Sequence, residues 1–377
     1  MKKFTMISLS LLVAGSVLVL AGCRQRDTTA LVGIAMPETH VERWVGDGNR
    51  LRDEAIARGF RAEVQWANAD QAAQNQHIQS FIVQGAKILI IGSINEGVGS
   101  AVSEAARENI PVIAYDRIIA GSGDYDYYIT FNNFEVGRMQ GQSIADALDL
   151  NNATAANPKN ITLFAGSPTD GNAFFFFNGA MDVLLPYIDS GALRVVGPFP
   201  RNSDDMNNFM AIATDNWQPI NARTRMDNLL TSFAAQNITL DAVLSPNDTL
   251  ARAIIESLRA DARYRDRLPI VSGQDAEFDS MLSIWNGEQY STVFKDTNKL
   301  AEAAVLLAYQ IVNGLPRNIP GAVLAEEIGL GQIGDTGVKR VNAFLLEPFL
   351  ITRNNFNVPI DAGFFDATQT AQLRQLQ

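Results

Sequence analysis

The feature that most constrains the fold is an alternation of short apolar runs with longer amphipathic runs along the chain. In the first part, four runs of strand length are mostly apolar: 31–36, 62–66, 87–92 and 111–115. The stretches between them have the length and polarity of helices: 44–58, 72–84 and 96–108. Near-continuous apolar strands are buried on both faces. The pattern therefore predicts a parallel sheet covered by helices on both sides.

The same alternation recurs in the second part of the chain. Its strand candidates are 161–165, 194–196, 242–244, 269–272 and 290–294, and its helices include 173–185, 222–235 and 249–260. Two successive doubly wound units predict two Rossmann-like lobes. The length agrees, because 377 residues less the first 22 leave 355, which is more than a single hydrophobic core usually holds.

The N-terminus has the layout of an export signal. Two lysines precede an almost uncharged apolar stretch at 6–20, and small residues then lead to the only cysteine, Cys23. That stretch is short for a membrane-spanning helix, which needs about 20 residues, and its end resembles the lipobox of bacterial lipoproteins. We expect a lipoprotein signal peptide at 1–22, lipid on Cys23, a tether at 23–30 and an extracytoplasmic, membrane-anchored protein. The alternative is an ordinary cleaved signal peptide with an incidental cysteine.

Composition excludes several classes of function. The formal net charge of −11 disfavours nucleic acid as a partner, because binding to phosphates needs clustered cations. A single cysteine allows no internal disulfide. With only two histidines besides, little material remains for a metal centre or a catalytic cysteine. We expect neither a metal nor a cofactor.

The positions just after the predicted strands are the candidates for a binding site. In open parallel sheets, ligands bind beyond the carboxyl ends of the strands. Polar or aromatic side chains follow many of these ends. The candidates are Arg43, Trp44, Asp116, Arg117, Asp170, Asn172, Phe174, Trp217, Asn247, Asp275 and Lys295. The four phenylalanines at 174–177 cannot all face one way, so we expect one or two at the cleft and Phe174 is the candidate.

These residue types suit the recognition of a neutral carbohydrate. Carboxylates accept hydrogen bonds from hydroxyls, Arg and Lys donate to them, and Asn does both. Bonds with one charged partner are the stronger kind. Indole rings stack on the apolar faces of a pyranose. A buried site of this kind rejects ligands that lack the matching hydroxyl, because its own polar groups are then left unpaired.

Each candidate also has a purely structural interpretation. Asp116 and Arg117 could form a local ion pair, and Asp170 could only cap the helix that follows it. Trp217 could belong to the core of a lobe, and Lys295 could pair with a surface carboxylate. The shared position at strand ends is what favours a common site.

At the same stretches the sequence resembles a known family. It is similar to the periplasmic sugar-binding proteins of ABC importers in the ribose/galactose/xylose-binding class, above all to multiple-sugar-binding and xylose-binding members. The runs that carry the resemblance are 32–37, 43–44, 114–117, 166–168 with Asp170 and Asn172, 179–181, 222–223, 225–230, 241–246, 271–277 and 287–297.

The resemblance implies the type I periplasmic binding protein fold, an α/β clamp of two lobes joined by a three-stranded hinge. It places the crossings between the lobes near Asn132, Lys295 and Phe344. The N-terminal lobe would comprise 31–132 plus 296–343, and the C-terminal lobe 133–295 plus 344–377.

The resemblance also implies a role for each candidate. Sugar would be contacted from the first lobe by Arg43, Asp116 and Arg117. From the second lobe it would be contacted by Asp170, Asn172, Asn247 and Asp275, with Lys295 at a crossing. Trp217 would stack on the ring, opposed by Trp44 or a phenylalanine of the 174–177 run. Gly171 and Asn247 depart from the pattern of some relatives, so the preferred sugar does not follow from the resemblance.

Four functions are consistent with, or can be tested against, these features of the sequence. The first is a binding protein that captures an aldohexose or aldopentose and delivers it to an ABC permease and ATPase. The second is a sensor that presents bound sugar to a chemoreceptor or histidine kinase. An enzyme with a Schiff base on Lys295 is disfavoured, because nearby Asp275 and Asp296 stabilise the charged amine. A sugar-responsive transcription factor is disfavoured by the export signal and the missing helix-turn-helix.

Overall fold

The computed structural model describes residues 29–41 and 43–377. The predicted signal peptide, Cys23 and all but the last two residues of the predicted tether lie outside the described residues. Within the described part of the chain, no helix combines the length and the hydropathy needed to cross a membrane.

The strands and helices alternate along most of the described chain. The strands are β1 Leu31–Met36, β2 Arg61–Trp66, β3 Ile88–Ile91, β4 Val112–Tyr115, β5 Tyr127–Phe131, β6 Lys159–Leu163, β7 Leu193–Val195, β8 Ala242–Leu244, β9 Ile270–Val271, β10 Ser291–Phe294, β11 Ala322–Leu324, β12 Asn342–Leu346 and β13 Phe349–Thr352. The α-helices are α1 Arg43–Ala57, α2 Gln71–Val83, α3 Gly99–Arg107, α4 Asn133–Ala147, α5 Gly171–Asp189, α6 Met206–Ile212, α7 Pro219–Ala235, α8 Asp248–Ala260, α9 Phe278–Trp285, α10 Thr297–Val312, α11 Asn357–Asp361 and α12 Ala367–Gln375.

The first lobe is built on a seven-stranded sheet in the order β11-β12-β5-β4-β3-β1-β2. Its strands are parallel except β11, which pairs antiparallel with β12 at the edge. In register, Ile34 of β1 lies between Val64 of β2 and Ile90 of β3. Alternate residues of β1 reach opposite faces: Ile34 packs with α1 and α10, and Ala35 packs with α2 and α3. Burial on both faces explains why β1 is apolar throughout.

The second lobe has a four-stranded parallel sheet in the order β7-β6-β8-β9. The antiparallel pair β10-β13 continues it beyond β9, through backbone hydrogen bonds such as Val293 N to the Gly273 carbonyl. Helices α5 and α6 cover one face of the parallel strands, and α7 and α8 cover the other.

Within the described residues, the chain passes between the two sheets at three places. It leaves the first sheet at Asn132 between β5 and α4, and returns at Lys295 and Asp296 between β10 and α10. The third crossing lies at Glu347 and Pro348, between β12 and β13. The crossing expected near Phe344 falls slightly later in the chain, because Phe344 lies inside β12 and pairs with β5 of the first sheet. The second lobe therefore takes up the chain again at β13 and not at residue 344.

Two glycines allow the helices α4 and α5 to pack closely together. A Cβ at Gly137 of α4 would lie 2.0 Å from the carbonyl oxygen of Phe176, and one at Gly179 of α5 would lie 2.0 Å from that of Phe134. Only glycine at these positions lets the two helix backbones approach so closely. This packing sets how α5 is rotated, and so which of its phenylalanines face the cleft.

Candidate functional site

A cavity lies between the two lobes, at the carboxyl ends of the strands of both sheets. It holds about 300 Å³ of space not occupied by protein atoms, counted out to its open mouth. Both lobes and a crossing line it. The lining residues are Val41, Arg43, Trp44, Asp116, Arg117, Asp170, Asn172, Phe176, Trp217, Asn247, Gln274, Asp275 and Lys295. Ten of the eleven predicted site residues are therefore brought together in one space.

Phe174 is the predicted site residue that the structure does not bring to this cavity. Its ring packs against Phe209 of α6, with ring centroids 5.0 Å apart, in the core of the second lobe. Residues two apart on a helix point to nearly opposite sides, so Phe176 faces the cavity instead. Its ring lies 5.3 Å from the ammonium nitrogen of Lys295 and meets Trp217 edge-on at 6.5 Å.

Two arginines from the first lobe are held in place by buried carboxylates. Arg43, the first residue of α1, donates from Nη1 to Asp116 Oδ2 at 2.8 Å and from Nη2 to Asp47 Oδ2 at 2.6 Å. Arg117 donates from Nη2 to Glu38 at 2.9 Å. Both guanidinium groups are buried, and the paired carboxylates compensate the cost of removing their charges from water. Their guanidinium groups are thereby fixed before any ligand arrives.

Burial and charge act in opposite directions on the acids of the site. Burial alone raises the pKa of Asp116, but the charges of Arg43, Lys295 and Arg117 outweigh it and hold that pKa below its usual range. For Asp170 burial prevails over the attraction of Arg117, and its pKa is raised. Asp116 is thus an ionised, acceptor-only group at neutral pH.

Three site residues have left-handed backbone, which non-glycine residues rarely adopt. The φ angles are +61° at Asp116, +97° at Asp275 and +54° at Trp217. The conformation at Asp116 is held by its carbonyl oxygen, which accepts from Tyr128 Oη at 2.7 Å, Thr130 Oγ1 at 2.9 Å and Asn172 Nδ2 at 2.8 Å. Unfavourable backbone that persists at a cleft is typical of functional sites.

The tryptophans have partners that fix their rings at the cavity wall. Trp217 donates from Nε1 to Asp170 Oδ2 at 3.2 Å, and its ring lies over Gly166, where a Cβ would approach to 2.0 Å. On the first lobe, the guanidinium carbons of Arg43 and Arg117 lie 4.8 and 4.9 Å from the centre of the Trp44 ring. Both lobes therefore present a rigid aromatic surface to the cavity.

The two lobes touch each other around the cavity. Arg117 of the first lobe forms an ion pair with Asp170 of the second at 2.8 Å. Asn172 reaches across from α5 to the Asp116 carbonyl, and His40 Nε2 lies 2.9 Å from the carbonyl oxygen of Asn216. These contacts join the two lobes around the cavity.

Some predicted residues combine a structural role with their place in the lining. Asp170 and Asn247 cap α5 and α8, accepting from the backbone of Asn172 at 3.0 Å and of Leu250 at 3.0 Å. Lys295 forms an ion pair with Asp275 at 3.0 Å.

Three lining residues were not among the eleven candidates: Val41, Phe176 and Gln274. Gln274 directly precedes Asp275 in the segment after β9, to which the strand-end argument points. Its Oε1 is buried and has no hydrogen-bond partner among the described residues. Buried acceptors are normally hydrogen-bonded, so this oxygen is available to accept a hydrogen bond from a ligand.

No group of three or more His, Cys, Asp or Glu side chains in the described residues could hold a metal ion.

Comparison with known proteins identifies the family. A family model described as a periplasmic binding protein domain matches residues 32–316. The chain belongs to this family. It is 40% identical over 342 residues to the multiple sugar-binding periplasmic receptor ChvE of Rhizobium radiobacter, covering 90% of this chain and 91% of that protein. It is 33% identical over 335 residues to the D-xylose-binding periplasmic protein of Escherichia coli K12, covering 88% and 90%.

Solved structures agree with the sequence relatives. An ABC transporter solute-binding protein of Clostridium phytofermentans with bound β-D-glucose superposes with a TM-score of 0.79 at 34% identity, covering 90% of this chain and 99% of that one. A carbohydrate-transporter solute-binding protein of Chloroflexus aurantiacus in complex with D-glucose gives a TM-score of 0.78 at 29% identity, covering 90% and 98%. The predicted type I periplasmic binding protein fold is confirmed.

Proposed function

We propose that this protein binds one monosaccharide in the interlobe cavity and delivers it, unaltered, to an ABC importer. The observation that carries the proposal is the lining itself, where buried carboxylates, guanidinium groups, amides and two indole rings from both lobes face one small space. The relatives named for sugars and xylose, and the neighbours solved with glucose, support an aldohexose or aldopentose such as glucose, galactose, xylose or arabinose.

The lining has the donors and acceptors that sugar hydroxyls need. Asp116, ionised, accepts from a hydroxyl, and the arginines beside it donate to one. The unpartnered Oε1 of Gln274 accepts a hydrogen bond from a further hydroxyl. The charge-assisted bonds, to Asp116 and from the arginines, contribute about 1.5–3 kcal/mol each.

Closure follows from the position of the ligand between the lobes. A sugar that contacts Asp116 on one lobe and Gln274 on the other favours the closed form, since only that form offers both contacts. The closed form then presents surfaces of both lobes to the permease.

We propose no chemical step. Lys295 is the one amine at the cavity among the described residues, and its nitrogen is held in an ion pair with Asp275 at 3.0 Å, so it is not free to attack a carbonyl. The protein captures and releases its ligand.

The periplasmic relatives support an extracytoplasmic location, and we propose that lipid on Cys23 anchors the chain to the membrane there. Cys23→Ala should release the protein into the soluble fraction of cells, whereas the unchanged protein should sediment with membranes. Continued sedimentation of the variant would mean that another anchor exists.

The alternative function is that of a sensor for a chemoreceptor or histidine kinase. It uses the same cavity, and it would be detected as sugar-dependent binding of the protein to such a receptor.

The test of the binding function is a thermal-shift screen followed by calorimetry. Glucose, galactose, xylose and arabinose are each added to the purified chain, with glycerol as the control. We expect at least one sugar to raise the melting temperature and to bind with one-to-one stoichiometry, because a ligand that binds only the folded state stabilises it. If none of the sugars does either, the proposal is wrong.

A further inference from the structure

A second space adjoins the sugar cavity, and the two share a wall. The second space holds about 950 Å³ not occupied by protein atoms, counted out to its open mouth. Arg43 and Asp275 line both spaces. The remaining lining comes from both lobes: the start of α1 and α10 on one side, and the Phe278 loop with the segment before α12 on the other.

The two residues that separate the spaces, Arg43 and Asp275, form the longest ion pair at the site. Arg43 Nη1 lies 3.8 Å from Asp275 Oδ1, whereas Arg43 approaches Asp47 and Asp116 to 2.6 and 2.8 Å. Asp275 in turn has Lys295 at 3.0 Å. Separating Arg43 from Asp275 leaves both charges paired, and a buried charge is costly only when it loses its last partner. Arg43 and Asp275 can therefore move apart at a low cost in free energy.

The second space has the lining of a sugar subsite. Three half-buried phenylalanines, Phe278, Phe364 and Phe365, border it and pack edge-to-face, with ring centroids 6.3 Å apart for Phe278 and Phe365. Asn298 and Gln369 supply amides beside them. Aromatic surface with a few polar groups is what a pyranose ring requires.

We infer that this space is a subsite for a second sugar ring, so that the protein also binds disaccharides. The inference rests on the proposed function, because the first ring must occupy the cavity already described. The link between the two rings passes between Arg43 and Asp275, and its glycosidic oxygen accepts a hydrogen bond from the Arg43 guanidinium. The second ring then lies against the phenylalanines, gripped by both lobes.

Gly46 offers a selective way to block the second space. It lies in α1 with ordinary helical backbone, lines the second space but not the first, and a Cβ built on it meets no atom within 4 Å. A large side chain at this position therefore extends into the second space without touching the first. Replacing a helical glycine favours the helix by up to about 1 kcal/mol, so the variants should fold.

The experiment is calorimetry with Gly46→Trp, Gly46→Ala as the matched control, and the unchanged chain. The probes are glucose and xylose, and the disaccharides cellobiose, gentiobiose, melibiose and xylobiose, which differ in the linked position. We expect the unchanged chain and Gly46→Ala to bind at least one disaccharide. Gly46→Trp should weaken that disaccharide at least about tenfold, which is about 1.4 kcal/mol, and change monosaccharide affinity less than about threefold.

Three results would overturn the inference, and they separate it from the proposed function. If monosaccharides bind and no disaccharide does, the second space is no subsite and the monosaccharide function stands. If a disaccharide binds equally well to Gly46→Trp and Gly46→Ala, the second ring lies elsewhere. If neither class of sugar binds, the proposed function itself fails and the inference falls with it.

Discussion

Asp47 should control sugar binding without touching the sugar, through its hold on Arg43. It is completely buried, lies outside the cavity lining, and accepts from Arg43 Nη2 at 2.6 Å and from Nε at 3.2 Å. Asp47→Ala removes two of the three hydrogen bonds that position this guanidinium. The third, to Asp116, remains.

The size of the effect follows from those contacts. Removing one partner of a buried ion pair costs about 3–5 kcal/mol, and because Asp116 still pairs with Arg43 we expect the lower end, about 3 kcal/mol of unfolding free energy. The freed guanidinium must be ordered again by the ligand, so affinity should fall at least about tenfold, or 1.4 kcal/mol. Asp47→Asn keeps the shape and one acceptor, and it should lie between Asp47→Ala and the unchanged chain.

Urea denaturation and calorimetry with the best monosaccharide measure the two effects separately. Asp53→Ala is the matched control, since Asp53 lies on the same helix, is largely exposed and pairs only with half-buried Arg52 among the ion pairs of the described residues. Surface pairs of this kind contribute about 0–1 kcal/mol. The reasoning is refuted if Asp47→Ala matches Asp53→Ala in both stability and affinity.

Two further predictions concern the cleft and its surroundings. Phe176→Ala should weaken sugar binding about tenfold, whereas Phe174→Ala should lower stability and leave the dissociation constant unchanged; equal affinities in calorimetry would contradict the assignment. Burial raises the pKa of Glu277 to about 7 in spite of the attraction of Arg252. Between about pH 4.5 and 7 the folded chain therefore binds more protons than the unfolded chain, and the free energy of unfolding should fall as the pH rises through this range. Glu277→Gln should flatten that fall in urea titrations, and an unchanged slope would refute it.

Much of the site could be predicted because most candidates lie in the segments that follow the strands, some of them directly. The rule that ligands lie beyond the carboxyl ends of parallel strands needs only the ends of the strands, and the apolar runs mark these well. Asp116 follows β4 without a gap, and Lys295 follows β10 in the same way. Such positions depend on local sequence alone.

Which side of α5 is turned to the cleft could not be predicted from the sequence. Four consecutive phenylalanines carry no periodicity, so the pattern does not say which ring is turned to the cleft. The rotation of α5 is set by the close approach of α4 at Gly137 and Gly179, which is a contact between helices that the sequence does not reveal. Phe176 therefore lines the cavity and Phe174 does not.

The exact position of the third crossing could not be predicted for a similar reason. Residues 342–352 form two strands, β12 and β13, which belong to different sheets although they are separated only by Glu347 and Pro348. Both strands are mostly apolar, and their partners β5 and β10 lie far away along the chain. Pro348 was the available signal, since proline interrupts a strand.

The central claim is that side chains from both lobes converge on one sugar, and Asp116→Ala tests it most directly. Asp116 lines the cavity, is ionised at neutral pH, and contributes no side chain to the apolar core. Calorimetric titration with the best monosaccharide should show no measurable binding to the variant, whose circular dichroism should remain that of a folded α/β protein. Affinity close to that of the unchanged chain would place the sugar elsewhere and contradict the account.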